Sequence, residues 1–225
     1  MPIPIVKEVL PFLIGCLVIF GALGIVCRLV KWRRTAILCF ILAIVSACYM
    51  LYFFRDPERT PSTDTTVVVA GADGVVMSIK EMPENAFLKT ETVRISIFLS
   101  LFDVHVNRAP VAGTITFLQY YPGARYFTFQ EKSSDYNQHN SILIEGPQTR
   151  CLVNQIVGPV ARRVVYWLTL NQDVALGERI GMMKFGSRLD MYLPKSDVNV
   201  VIRKGDRVKA GLTVVATIKP KGPKS

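Results

Sequence analysis

Three polar residues stand in settings where side chains can do chemistry: Asp73 in "AGADGVV", His105 in "SLFDVHVNRAP" and Ser187 in "KFGSRLD". The last is the most pointed. Residues 178–194 read "ERIGMMKFGSRLDMYLP", two short apolar strands around 181–185 and 189–193 with Gly186-Ser187-Arg188 between them. Gly and Ser are ordinary turn residues, so a hairpin turn is one reading. A peptide bond built to break is the other. Each position alone has a structural explanation: Asp-Gly is a common hairpin pair, and a single His beside a strand is more often packed than catalytic. The case for chemistry rests on the three together. Serine hydrolysis is a poor fit, because Ser187 lies in no Gly-x-Ser-x-Gly elbow.

The elements that must position these residues are strands. "TVVVAGADGVVMSIKE" holds two β-branched runs about a Gly-Ala-Asp-Gly turn, and "TVRISIFLS" alternates. "GTITFLQYYP", "NSILIEG", "RCLVNQIVG" and "RRVVYWLTL" continue with Gly, Pro or Asn between them, and "DVNVVIRKGDRVKAGLTVVATI" closes with two strands about Lys204-Gly205-Asp206. No long segment of helical period follows residue 55. The prediction for residues 55–225 is a mainly β (α+β) domain, a sandwich or a barrel. Its first and last segments resemble the two half-barrel hairpins of biotinyl and lipoyl carrier domains. The Met-Lys-Met tip that carries their cofactor is missing, so fold resemblance does not bring carrier function with it.

Residues 1–54 are of another kind. The runs 9–27 and 35–54 hold 19 and 20 residues without a charge. At ~1.5 Å rise per residue each nearly spans a ~30 Å bilayer core. They predict a membrane-anchoring hairpin of two apolar helices. "RLVKWRR" between them favours a cytoplasmic link, while Lys7, Arg55 and Arg59 on the other side oppose that assignment. A hairpin dipping into one leaflet satisfies the same pattern.

The chain carries a net charge of +10, of which residues 55–225 supply 22 basic and 16 acidic side chains. A basic domain beside an anchor points to an anionic lipid surface. No nucleic-acid motif accompanies the charge. Four of the five cysteines fall in or beside the apolar runs, and only His105 and His139 represent histidine. That supply of ligands predicts neither a metal site nor a disulfide framework.

The local contexts together resemble one family, the phosphatidylserine decarboxylases, in their short prokaryotic form. The similarity runs along nearly the whole chain: "VLPF", "FFRDPER", "GADGVV", "SIFLSLFDVHVNRAPVAG", "YYPGA", "ARRVV", "ERIGMMKFGSRLDMYLP" and "KGDRVKAG". The resemblance implies a chain that cuts itself between Gly186 and Ser187, giving a β chain of residues 1–186 and an α chain of residues 187–225 that stay together as a heterodimer or a higher assembly. It implies that the Ser187 hydroxyl attacks the Gly186 carbonyl, and glycine there leaves the approach unblocked by a side chain. Ser187 then becomes a covalent pyruvoyl group, the only cofactor expected. That group forms a Schiff base with the amine of phosphatidylserine and takes up the electrons left by CO2, as pyridoxal phosphate does elsewhere. Serine needs a base. The resemblance assigns that role to His105, with Asp73 orienting it, and His105 serves again as the acid that protonates the product carbon.

Two departures stand out. Longer members of the family have a second His three residues after the first, where this chain has Arg108, which is no base near neutral pH. They also have Thr after the cleavage Ser, where this chain has Arg188. Arg188 and Arg108 are candidates for binding the substrate's phosphate or carboxylate; an exposed structural role for Arg188 is the alternative. The expected partner is a phospholipid at the cell membrane, with the domain at the cytoplasmic face as in the family. Decarboxylation of another serine lipid, such as archaetidylserine, uses the same residues. A non-catalytic tethered carrier or adaptor is the remaining alternative, and it predicts an uncut chain.

Overall fold

The computed structural model describes residues 5–124, 126–130, 132–159 and 164–220. Ala161, Arg162 and Arg163 of the "ARRVV" motif lie outside the described residues. The chain divides into two compact units, residues 1–58 and 59–225.

The first unit is a helical hairpin. A 3-10 turn, Lys7–Val9, leads into α1 (Leu10–Leu29), and α2 (Arg33–Phe53) returns beside it. Between them Lys31 takes a positive φ of 64° to reverse the chain. The helices meet through small residues, as close helix pairs in apolar surroundings do. Cys27, Ala36, Cys39 and Ala43 are buried, and Gly24 faces the Phe40 ring so closely that a Cβ would sit 3.0 Å from it. Ile14, Val18, Ile25, Leu38 and Ile44 point outward and are exposed. Both helices are long and apolar enough to cross a membrane.

The second unit is mainly β. Its largest sheet is antiparallel, with β13 (Arg207–Val208), β2 (Gly74–Glu84), β3 (Thr90–Leu99), β11 (Ser187–Pro194), β7 (Arg150–Val157), β6 (His139–Glu145), β5 (Gly113–Tyr121) and β9 (Asp173–Val174) in that order. A three-stranded sheet joins β4 (Val106–Arg108), β10 (Arg179–Met183) and β8 (Val164–Tyr166) in the order β4-β10-β8. Another joins β1 (Val67–Val69), β14 (Val214–Ile218) and β12 (Val198–Val200). The helix α3 is short, Ser133–Tyr136.

The half-barrel segments at the two ends of the domain pair with each other: β1 with β14, and β2 with β13. The runs on either side of Gly71-Ala72-Asp73-Gly74 do not form a hairpin, however. They enter different sheets, and the turn chemistry that suits a hairpin here serves a crossover. The same holds at residues 184–186. β10 and β11 do not pair, so Gly186-Ser187 is no hairpin turn but the entry to the central strand of the large sheet. Lys204-Gly205-Asp206 likewise joins β12 to β13, strands of separate sheets.

Strand β11 explains much of the packing. "SRLDMYLP" alternates, and successive side chains of a strand face opposite ways. Leu189, Met191 and Leu193 share a face with Ile97, Ile95 and Val93 of β3, their register partners, and all six belong to the main apolar core. Arg188, Asp190 and Tyr192 face the other way, yet all eight residues of the strand are buried.

Candidate active site

Ser187 is the first residue of β11, opposite Leu99 of β3 and Val157 of β7. Period two places it on the apolar face, where the strand continues with Leu189 and Met191. A hydroxyl has entered a position that the pattern otherwise fills with aliphatic side chains. The residue is fully buried, and among the described residues its Oγ has no hydrogen-bond partner. A buried hydroxyl without a partner costs about 1–3 kcal/mol, a cost native folds avoid unless the group has a use.

The peptide unit before Ser187 is unusual as well. Phe185 and Gly186 both take left-handed backbone angles, φ 59° and φ 58°. For a phenylalanine this conformation costs roughly 1–2 kcal/mol. A Cβ on Gly186 would meet nothing within 4 Å. Crowding is therefore not the reason for glycine at this position; the positive φ is. The Thr128 hydroxyl lies 3.4 Å from the Gly186 carbonyl oxygen, the long end of hydrogen-bond range.

His105 is fully buried just before β4. Its carbonyl accepts a hydrogen bond from the Met183 N–H at 3.2 Å, which fixes it beside the segment leading to Ser187. Its Nδ1 lies 3.0 Å from the Asp103 carbonyl oxygen. A carbonyl only accepts, so in the neutral ring Nδ1 carries the proton and Nε2 is the basic nitrogen. Asp103 in turn caps the preceding turn, its carboxylate accepting from the N–H and hydroxyl of Ser100.

Asp73 lies in the Gly71–Gly74 crossover, pressed against the Ser187 end of the sheet. A Cβ on Gly71 would stand 3.1 Å from Leu189, and one on Gly74 would collide with the Phe98 carbonyl oxygen at 2.0 Å. The Asp73 carboxylate accepts two hydrogen bonds from Arg59 and one of 2.8 Å from the Ala210 N–H. Arg59 also donates to the Ala210 carbonyl. The crossover and the His105 strand are joined by the Arg108 N–H, which donates to the Gly71 carbonyl at 2.9 Å. All three residues thus stand around one end of β11. The Asp73 carboxylate is held by Arg59 and Ala210, and the His105 ring bonds the Asp103 carbonyl.

The two candidate substrate-binding arginines are both buried. Arg188 is 1% exposed. Its Nε donates to Asp190 at 2.7 Å and its NH2 group to the Ser96 hydroxyl at 2.8 Å, while Asp190 also accepts from Ser134 at 2.6 Å. The alternative of an exposed structural Arg188 is therefore corrected: the alternation of β11 and the cover of α3 enclose it. Next to this pair the Tyr192 phenol is pushed up to about 12, by burial first and by the Asp190 charge second. Arg108 is 4% exposed and donates to the Gly177 carbonyl at 3.1 Å.

Sequence reasoning missed Arg59, Thr128 and the Asp190–Ser134 contact. Arg59 stood within the quoted "FFRDPER" motif, and Asp190 was visible as a charge in an apolar strand. Thr128 carried no signal.

A family profile for phosphatidylserine decarboxylase matches residues 47–216. The chain is 42% identical over 179 residues to the phosphatidylserine decarboxylase proenzyme of Carboxydothermus hydrogenoformans, covering 80% of this chain and 84% of that protein. It is 35% identical over 217 residues to the proenzyme of the same name from Desulfotalea psychrophila, covering 96% and 97%. With that of Symbiobacterium thermophilum it shares 38% identity over 215 residues, 95% of each chain.

Proposed function

The chain belongs to the phosphatidylserine decarboxylase family, and on that premise we propose that it is a self-cleaving, pyruvoyl-dependent enzyme that converts phosphatidylserine to phosphatidylethanolamine and CO2. The observation that carries the reading is the Ser187 hydroxyl, buried without a hydrogen-bond partner among the described residues, directly after a peptide unit of left-handed backbone.

In this reading Ser187 Oγ adds to the Gly186 carbonyl carbon while its proton passes to a base. Collapse expels the Ser187 nitrogen, which takes up a proton, and leaves Gly186 joined to Oγ as an ester. Removal of the Ser187 Cα proton then releases the Gly186 carboxylate and leaves dehydroalanine at 187. Addition of water and loss of ammonia turn Cα into a ketone. His105 Nε2 is the proton acceptor, held in that tautomer by the Asp103 carbonyl. Thr128 donates toward the oxygen that gains negative charge, and a bond that shortens as the charge develops favours the transition state. The backbone cost lies at Phe185, the non-glycine residue held at a positive φ one position before the bond that is cut.

Asp73 supports the site through Arg59 and Ala210, and Arg108 and Arg188 serve as its buried frame. The residues fit a pyruvoyl group at 187: Leu99 and Val157 flank the position and keep water from it. Such a group supplies an electrophilic carbonyl and an electron sink for loss of CO2. His105 then returns a proton to the product carbon.

The two chains stay together after the cut. The α chain supplies β11, whose whole length pairs with β3 and most of it with β7 of the β chain. It also supplies β13 and β14, which pair with β2 and β1. Separation would break the central sheet. The apolar hairpin holds the enzyme at the cell membrane with its domain at the cytoplasmic face, so the lipid headgroup is met at high effective concentration.

Reconstituted protein offered phosphatidylserine or archaetidylserine, each labelled in the carboxyl group, tests the substrate. Labelled CO2 from phosphatidylserine is the expected result. Release from archaetidylserine alone would move the assignment to that lipid, and release from neither would remove it.

A further inference from the structure

Two exposed apolar tips flank the end of the sheet where β11 begins. One is the turn after β3. Leu99 pairs with Ser187, and Leu101 and Phe102 follow at once, 44% and 67% exposed. The other is the segment that touches the Gly186 carbonyl through Thr128. On either side of Thr128, Phe127 and Phe129 are 56% and 59% exposed and stack on each other with ring centroids 5.4 Å apart. Lys132 sits over the Tyr126 ring at 3.8 Å.

Neither tip is loosely held. Asn137, 1% exposed, clamps the second from beneath: its Oδ1 accepts from the Tyr126 N–H, and its Nδ2 donates to the carbonyls of Tyr126 and Val157. The Ser133 hydroxyl donates to the Gln130 carbonyl at 2.7 Å. Asp103 closes the first tip through Ser100. The fold thus spends buried polar contacts on keeping large apolar side chains in solvent. Apolar groups held out in this way mark an interaction surface.

We propose that these two tips are a bilayer-docking surface, in which Phe102, Phe127 and Phe129 enter the interfacial layer and Lys132 meets anionic headgroups. This rests on the lipid-decarboxylase reading and adds to it how the domain meets its substrate. Three observations select a bilayer as occupant. The chain carries helices long and apolar enough to cross a membrane. Aromatic rings with a neighbouring Lys are the composition that settles at a membrane interface. The tips also bracket Ser187, so docking sets the reacting residue against the layer that holds the headgroups. The hydrogen bonds from Asn137 to Tyr126 and from Ser100 to Asp103 are made before docking, which reduces the entropy lost on insertion.

The test uses the full, matured protein in nanodiscs of phosphatidylcholine with anionic phospholipid. Fluorescence of the Phe129→Trp variant, taken as the difference from the parent, is quenched by phosphatidylcholine brominated in its acyl chains and shielded from iodide in water. Absence of quenching by the brominated lipid overturns the proposal, either with iodide quenching, when the tip stays in water, or without it, when a second copy or another protein covers the tip. A Phe127→Ser/Phe129→Ser variant, confirmed by mass to be cut as the parent is, turns over phosphatidylserine in bilayers about tenfold more slowly. Its turnover of a water-soluble short-chain phosphatidylserine stays within about twofold of the parent. Equal loss on both substrates contradicts docking. If the parent turns over neither lipid, the decarboxylase reading fails, while the quenching result still decides the surface.

Discussion

Arg59 grips the carboxylate of Asp73 with two parallel hydrogen bonds, 2.5 and 2.8 Å long, and holds the Ala210 carbonyl with the same guanidinium. Both side chains are nearly buried, 6% and 12% exposed. The pair ties the start of the domain to the crossover beside Ser187 and to the segment between β13 and β14. Removing one partner of a buried pair leaves an uncompensated charge and costs about 3–5 kcal/mol. Arg59→Ala therefore lowers the denaturation midpoint and slows conversion to two chains, both read on the same preparation. Wild-type stability with wild-type maturation would show that the pair has no part in either.

Arg188 and Asp190 make the second buried pair. Arg188→Met alone is expected to destabilise by about 3–5 kcal/mol, because Asp190 stays charged and enclosed. Arg188→Met/Asp190→Leu removes both charges and is expected to recover more than half of that loss. The double variant also separates the roles. A cut, folded double variant with unchanged KM for phosphatidylserine supports a structural Arg188, and a KM raised tenfold or more would return it to substrate binding.

His105 is the proposed base of self-cleavage. His105→Ala leaves a chain that stays uncut, or is cut at least ~100-fold more slowly, on the scale of losing a general base. A time course by denaturing gel reads this directly. Normal maturation with lost decarboxylation would confine His105 to the later proton transfer.

Gly186 tests the backbone argument. Since a Cβ there meets nothing within 4 Å, Gly186→Ala folds, at a cost of roughly 1–2 kcal/mol for a positive φ. Gly186→Val adds β-branching at the same φ and costs more. Equal stabilities of the three proteins would contradict the left-handed conformation as the reason for glycine.

The strand-rich domain and the apolar hairpin were legible because alternation and uncharged length are local signals. Ser187, His105 and Asp73 were legible as motifs. Their partners were not. Arg59 is 14 residues from Asp73 and Ala210 is 137 away, and nothing local in the chain announces either contact. The turns at Gly71–Gly74 and Lys184–Gly186 misled for a physical reason: glycine permits reversal and crossover alike, and only pairing with distant strands decides between them. Burial of Arg188 followed from the cover that α3 gives to a face that the strand pattern alone would leave to solvent.

The most direct test of the central claim is the intact mass of the purified protein under denaturing conditions, with Ser187→Ala beside it. The account predicts two chains that divide after Gly186, the smaller beginning with a pyruvoyl group in place of serine, and one uncut chain for the variant. A wild-type protein that remains a single chain on long incubation, or a variant that is cut, would contradict it.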